Sequence, residues 1–288
     1  MYTTTFTVPS MSIVYFERME SEFLKETNDC DVLNGTFHDA RGSQSRQDSY
    51  LKRCISDGVD FIMAVPIVAE AVAPIVERTQ EENIPFICVD RNVSSVEPAS
   101  YIASDNTQLG SQSVELLYDF MHNAHKKDTY NIIEIQGDEG ASVTDERHRG
   151  GAEAIRKKDV DMIDSRSGVF STSGSADVVK ELIDQYGTQI DGIYAHNDLM
   201  ALGAHQAVCE SPLSDIPITG IDGSKKWVEQ FDHEPYYGTI AQLPEKMVSM
   251  AVEYGIRAAE ENPIKDYCQI NGGQNNPENA NKYLNKNF

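Results

Sequence analysis

Gly192-Ile193-Tyr194-Ala195-His196-Asn197-Asp198-Leu199-Met200-Ala201-Leu202-Gly203-Ala204 holds the pattern that decides the fold. Its first part is a short, continuous apolar run, the reading of a strand buried on both faces. A polar cluster, His196-Asn197-Asp198, closes that run. A helix-patterned stretch over 198–209 starts directly behind it, and Asn is a residue that caps such starts. Apolar strand, polar strand end and amphipathic helix together make one β-α unit.

The same unit recurs on both sides. Further apolar runs lie at 60–65, 84–89, 130–136, 216–221 and 237–241, and helix-patterned stretches at 45–56, 68–82, 107–121, 176–186 and 245–260. Alternation of this kind predicts an α/β fold, with parallel sheets wound by right-handed crossovers. The opening is weaker: residues 2–6 are short and Thr-rich and read as a first strand, either trimmed or unusually abbreviated, before a helix near Ser12. Four strand ends carry polar clusters: Val89-Asp90-Arg91-Asn92, Gln136-Gly137-Asp138, Ala195-His196-Asn197-Asp198 and Ile221-Asp222-Gly223. Ligands of open α/β sheets bind outside the carboxyl ends of the strands, so these side chains are placed to meet one. Turn-making and helix capping are the competing roles for each cluster taken singly.

Composition narrows the partners. A length of 288 residues suits two domains, and 40% hydrophobic content is enough for a core in each. The net charge of −22 repels phosphates, which argues against nucleic acid and anionic lipid and favours a neutral ligand. Five cysteines form an odd number without C-x-x-C spacing, so most read as core residues, with one or two disulfides left open. No run of about 18 apolar residues occurs, so no stable membrane insertion is expected. No signal segment is legible ahead of the first element, and one is expected to lie outside this sequence.

Catalytic signatures are missing: there is no G-x-S-x-G elbow, no phosphate loop and no G-x-G-x-x-G turn. His122 and His125 are three apart but have no carboxylate in register, so neither a metal site nor a cofactor is expected. His148 and His205 read as solvent-facing, and Trp227 as packing within its lobe.

Ile102-Ala103-Ser104-Asp105-Asn106, Ile133-Glu134-Ile135-Gln136-Gly137, the stretch 195–204, Ile221-Asp222-Gly223 and Thr239-Ile240-Ala241-Gln242-Leu243-Pro244 resemble the ribose-binding group of type 1 periplasmic binding proteins. Gly140-Ala141-Ser142-Val143 with Arg147, and Ser165-Arg166-Ser167-Gly168-Val169-Phe170, are similar to its galactofuranose-binding branch. The resemblance implies two Rossmann-like lobes with parallel sheets, joined by a three-segment hinge, with the ligand cleft between the lobes. The crossings would fall near 103–105, 242 and 270. Residues 1–103 with 243–270 would form the N-terminal lobe, and 104–242 with 271–288 the C-terminal lobe.

It further implies an extracytoplasmic solute-binding protein that is not an enzyme. Such a protein captures a monosaccharide by hinge closure and, as a monomer, delivers it to the permease of an ABC importer. Asp90 and Arg91 would grip the sugar from one lobe, and Arg147, Asn197 and Asp222 from the other, with Gln242 at the hinge and Phe170 against the ring. These residue types suit hydroxyls: Asp accepts, Arg donates a rigid fork, and Asn and Gln do both. Two departures fall at specificity positions. Val8-Pro9-Ser10-Met11-Ser12 lacks the group's stacking aromatics, and Thr172 stands where the branch has Arg. An alternative reading on the same fold is a sugar-sensing domain of a receptor or of a LacI-type regulator; a carboxylate-pair glycosidase using Asp90 and Asp222 is a more distant one.

Overall fold

The computed structural model describes residues 1–213, 216–232, 236–276 and 278–279. In chain order the first elements are β1 (Tyr2–Val8), α1 (Val14–Asp29), β2 (Leu33–Asp39), α2 (Gln44–Asp57), β3 (Phe61–Ala64), α3 (Ala69–Glu81), β4 (Phe86–Val89) and β5 (Ser100–Ala103). There follow α4 (Asn106–Ala124), β6 (Tyr130–Gln136), α5 (Ser142–Ile155), β7 (Val160–Ser167), α6 (Thr172–Tyr186), β8 (Gly192–Ala195), α7 (Asp198–Cys209) and β9 (Ile218–Asp222). The last are α8 (Lys225–Val228), β10 (Tyr237–Ala241), α9 (Pro244–Ala259), β11 (Tyr267–Gln269) and β12 (Gln274–Asn275).

Two compact units divide these elements. Met1–Ser104, Gly140–Val143 and Leu243–Asn271 form the first; Asp105–Glu139, Thr144–Gln242 and Gly272–Phe288 form the second. The first unit's sheet runs β11-β5-β4-β3-β1-β2, parallel throughout. The second runs β12-β10-β9-β8-β6-β7, parallel except where β12 joins β10. In each, the order reverses beside the strand that opens the unit, β1 or β6, which is the topological switch point of a doubly wound sheet.

The opening strand is not abbreviated. β1 runs through Val8 and is paired on both sides, with β2 along its whole length and with β3 from Thr4 to Thr7. Its Thr residues fit because β-branched side chains suit a pleated strand, and Thr4 and Thr5 hand their hydroxyls to the carbonyls of Phe61 and Thr36. The first unit's core gathers Leu51, Ile62, Val72, Val76 and Phe86 between sheet and helices. The second gathers Val114, Leu117, Ile132, Tyr194 and Ile240. Trp227 is fully buried, stacked on Tyr237 at 4.8 Å, and its indole N–H donates to the Gly238 carbonyl. It packs the lobe, as its place behind β9 implies.

All five cysteines are free thiols. Burial pushes the Cys88 thiol far up, which leaves it an inert small hydrophobe. No helix among the described residues is long and apolar enough to cross a membrane. Of the Asn-rich tail at 271–288, Pro277 and residues 280–288 lie outside the described residues.

Candidate functional site

In the first unit the expected pair, Asp90 and Arg91, sits just past the end of β4, and both are buried. Asp90 adopts a left-handed backbone (φ 63°), a strained position for a residue other than glycine. It is pinned there from three directions. Its N–H donates to the Ile102 carbonyl, its carbonyl accepts from the Tyr101 hydroxyl, and its Oδ1 accepts from the Tyr15 hydroxyl at 3.1 Å. The Arg91 guanidinium lies 5.8 Å from the centre of the Phe16 ring, so α1 supplies both a hydrogen bond and an aromatic face to this strand end.

In the second unit the carboxyl ends of β8, β9 and β10 and the first turns of α4 and α5 converge. Arg147, on α5, is 3% exposed. Its Nε donates to Asn106 Oδ1 at 2.9 Å, Nη1 donates to the His196 carbonyl, and Nη2 stands 4.0 Å from Asp222 Oδ1. A side-chain carbon at Gly110 would collide with the Arg147 carbonyl, so a glycine on α4 lets α5 come close enough to seat the fork. Asp222 accepts from Gln242 Nε2 at 2.9 Å, and its carbonyl accepts from the Gln242 N–H. That bond fixes the amide: Nε2 faces Asp222, and Gln242 Oε1 is turned elsewhere, buried and without a hydrogen-bond partner among the described residues. Thr144, one turn ahead of Arg147, buries a hydroxyl in the same condition.

Asn197 and Phe170 have partly local roles. Asn197 Oδ1 accepts from the Met200 N–H and caps α7, leaving only its amide N–H groups for another partner. Phe170 follows Val169, and both are left-handed (φ 47° and 48°). Its ring covers Gly137, where any side-chain carbon would lie inside the ring.

Beneath these groups lies a buried polar network that sequence reasoning did not assign. Glu134 Oε1 accepts from His196 Nε2 at 3.0 Å, and its Oε2 meets Ser165, Gln136 and His148. Burial alone would raise the Glu134 carboxyl. The hydrogen bonds from His196, Ser165 and Gln136, with the His196 charge, outweigh it and hold Glu134 at about 2. Burial lowers His196 against the pull of Glu134. His196 donates its Nε2–H to Glu134 in a hydrogen bond, and its Nδ1 is buried without a partner among the described residues.

Asp198 is fully buried as well, accepting from Thr239 at 2.7 Å and from the Ser224 N–H at 2.6 Å. Burial and the neighbouring Asp222 charge push its carboxyl well above the usual range, against those hydrogen bonds. His148 and His205 are not simply solvent-facing. The first bonds Glu134, and the second meets the Tyr237 hydroxyl at 2.9 Å.

A match to the periplasmic binding protein domain covers residues 4–263. The chain belongs to that family. It is a family of substrate-binding proteins, not of enzymes. Among its relatives, a ribose import binding protein of Bacillus subtilis is 29% identical over 75% of this chain and 68% of its own length. A galactofuranose-binding protein of Escherichia coli is 32% identical over 64% and 60%, and a xylitol-binding protein of Mycolicibacterium smegmatis 28% over 72% and 58%. The matched segments thus span about three fifths to two thirds of these relatives' own lengths. In fold, the crystal structure of a galactofuranose binding protein superposes with a TM-score of 0.90 at 24% identity, covering 99% of this chain and 98% of that one. An ABC transporter solute binding protein from Mycobacterium smegmatis, with bound glycerol, gives 0.91 at 22%, covering 98% and 96%.

Within this periplasmic binding protein, Tyr15, Asn106, Thr144 and Glu134 are the polar groups that sequence reasoning left out. Asn106 carried a signal, because it closes the motif 102–106 that marked the family. Tyr15 carried none, since its partner Asp90 lies 75 positions away.

Proposed function

We propose that this chain is an extracytoplasmic solute-binding protein that captures one neutral monosaccharide and delivers it to an ABC importer. The carrying observation is the buried array at the strand ends of the second unit. The Arg147 fork is braced by Asn106, Asp222 is set by Gln242, and the Gln242 acceptor is buried without a partner among the described residues. An array that holds donors and acceptors fixed, in a chain of net charge −22, suits hydroxyls rather than anions. Asp90 and Arg91 supply a second set in the first unit. Hydrogen bonds to charged groups contribute about 1.5–3 kcal/mol each, so a few of them meet the ~8 kcal/mol of micromolar binding.

In this reading Arg147, Asn197, Asp222 and Gln242 hold the sugar from the lobe at 104–242 with 271–288, and Asp90 and Arg91 from the lobe at 1–103 with 243–270. Phe170 lies against an apolar C–H face of the sugar ring. Sugar bridging both sets drives hinge closure, and the closed monomer is what the permease recognises. The relatives described above bind ribose, galactofuranose and xylitol, all small polyhydroxy compounds, which supports this ligand class. A thermal-shift screen against ribose, xylose, fructose, galactose and arabinose tests it. At least one sugar should raise Tm saturably without being consumed; turnover of a sugar, or no shift with any, would contradict the reading.

A further inference from the structure

Away from these strand ends, the edge of the first sheet carries a feature that sugar binding does not use. A depression of about 770 Å³ lies beside β2 and α2, lined by His38, Arg41, Arg46, Arg53, Tyr50 and Asp39 among others. Three guanidinium groups and an imidazole therefore converge in a chain with 46 acidic residues against 24 basic ones.

The hydrogen bonds of the nearby carboxylates Asp39 and Asp48 among the described residues come from neutral donors, not from these guanidinium groups. Asp39 Oδ1 already accepts from the Arg41 N–H at 2.8 Å and from the Met11 N–H. Asp48, on α2, is engaged by Gln44 Nε2. Arg53 has only a 4.0 Å contact to Asp57, both side chains being exposed, and Arg41 and Arg46 make no ion pair among the described residues. The aromatic part is rigid: His38 stacks on Tyr50 with 3.8 Å between ring centres and an 8° tilt, and Arg53 lies 5.4 Å over the other ring of that stack. Thr7 Oγ1 is 3.4 Å from His38 Nδ1. Burial lowers the His38 imidazole, Asp39 opposes this, and Arg53, Arg46 and Arg41 push it further down. The positive field thus reaches the imidazole itself.

We propose that this depression is a binding site for a small multivalent oxyanion, gripped by Arg41, Arg46 and Arg53 with His38 at its floor. Arginine forks match the geometry of phosphate and carboxylate oxygens, and three arginines lining one depression, with Arg53 over Tyr50, are placed to receive them. The site is separate from the sugar groups Asp90 and Arg91, so it does not depend on the sugar reading.

Inorganic pyrophosphate is the probe. His38 is followed by NMR at constant ionic strength, its resonance assigned with His38→Gln. Saturable movement of that resonance, with the imidazole's titration shifted upward as the anion offsets the arginines, is the expected result. Chloride at equal ionic strength should leave it in place. The double variant Arg41→Gln/Arg46→Gln should bind at least about tenfold more weakly while keeping its wild-type Tm. No saturable response of His38, or an unchanged affinity in a double variant that keeps its Tm, would overturn the proposal. If the double variant fails to fold, Arg53→Gln alone serves, with the same two outcomes.

Discussion

The carboxyl ends of the two sheets are built differently. In the first unit, Asp90 and Arg91 come from one strand end, and Tyr15, Tyr101, Phe16 and the β5 backbone are among the groups that hold them. In the second, residues from α4, α5, β6, β8, β9 and β10 are bonded to one another. Arg147 is bonded to Asn106 and stands near Asp222, and the Glu134–His196 and Asp198–Thr239 pairs are buried beside them. One set comes from a single strand end; the other is a framework drawn from several elements. Buried polar groups that satisfy one another rigidify a site, whereas a broken member costs the full penalty of the group left behind. Changes in the second unit should therefore disturb stability and binding together, and those in the first should separate them.

The largest effect is expected at Glu134. Its folded pKa of about 2 lies below the ordinary 4.5. That carboxylate thus contributes stability above 4.5, and the contribution is lost as pH falls through the window down to about 2. The gap corresponds to about 3 kcal/mol. Glu134→Gln should start lower by about that amount at neutral pH and lack the acid-side decline, as read by denaturant titrations across pH. An unchanged acid slope would mean the network is not the stiff element supposed.

Asp198 provides the opposite sign. Its folded pKa is raised, so the folded state keeps a proton that the unfolded state loses, and stability falls as pH rises above 3.8. Asp198→Asn can still accept from the Ser224 N–H and donate to Thr239, and should remove that slope with no loss at neutral pH. Asp198→Ala should cost about 2 kcal/mol by orphaning both partners. Equal stability of the two variants would refute this role. Smallest is Tyr15→Phe in the first unit, which frees one bond to Asp90. It should lower stability by about 1 kcal/mol or less and weaken sugar binding measurably. A stability loss as large as that of Asp198→Ala would erase the contrast between the units.

The contrast also explains what the sequence shows and what it hides. Runs 130–136, 192–195 and 237–241 match β6, β8 and β10 to the residue, because these central strands are buried on both faces and read as continuous apolar stretches. The strands that sequence pattern does not reveal include the edges. β2 (Leu-Asn-Gly-Thr-Phe-His-Asp) and β7 (Val-Asp-Met-Ile-Asp-Ser-Arg-Ser) have one flank open and carry polar residues through their length. β11 and β12, of three and two residues, are too short to register a period.

The site divides along the same line. Arg147, Asp222 and Gln242 lie at the ends of readable strands and helices, and they come together. What holds them does not read from sequence, because His196, Glu134 and His148 meet only after β6, β8 and α5 are folded side by side. Phe170 and Asp90 needed backbone geometry to be understood, since the left-handed turns that aim them leave no glycine in the sequence.

The central claim is that one sugar is held by both units at once. Calorimetric titration of the sugar with the largest thermal shift, against wild type, Arg91→Ala and Arg147→Ala, tests it most directly. The account predicts a single site and at least about a tenfold loss in each variant, with Arg147→Ala also less stable. Wild-type affinity in either variant would contradict it.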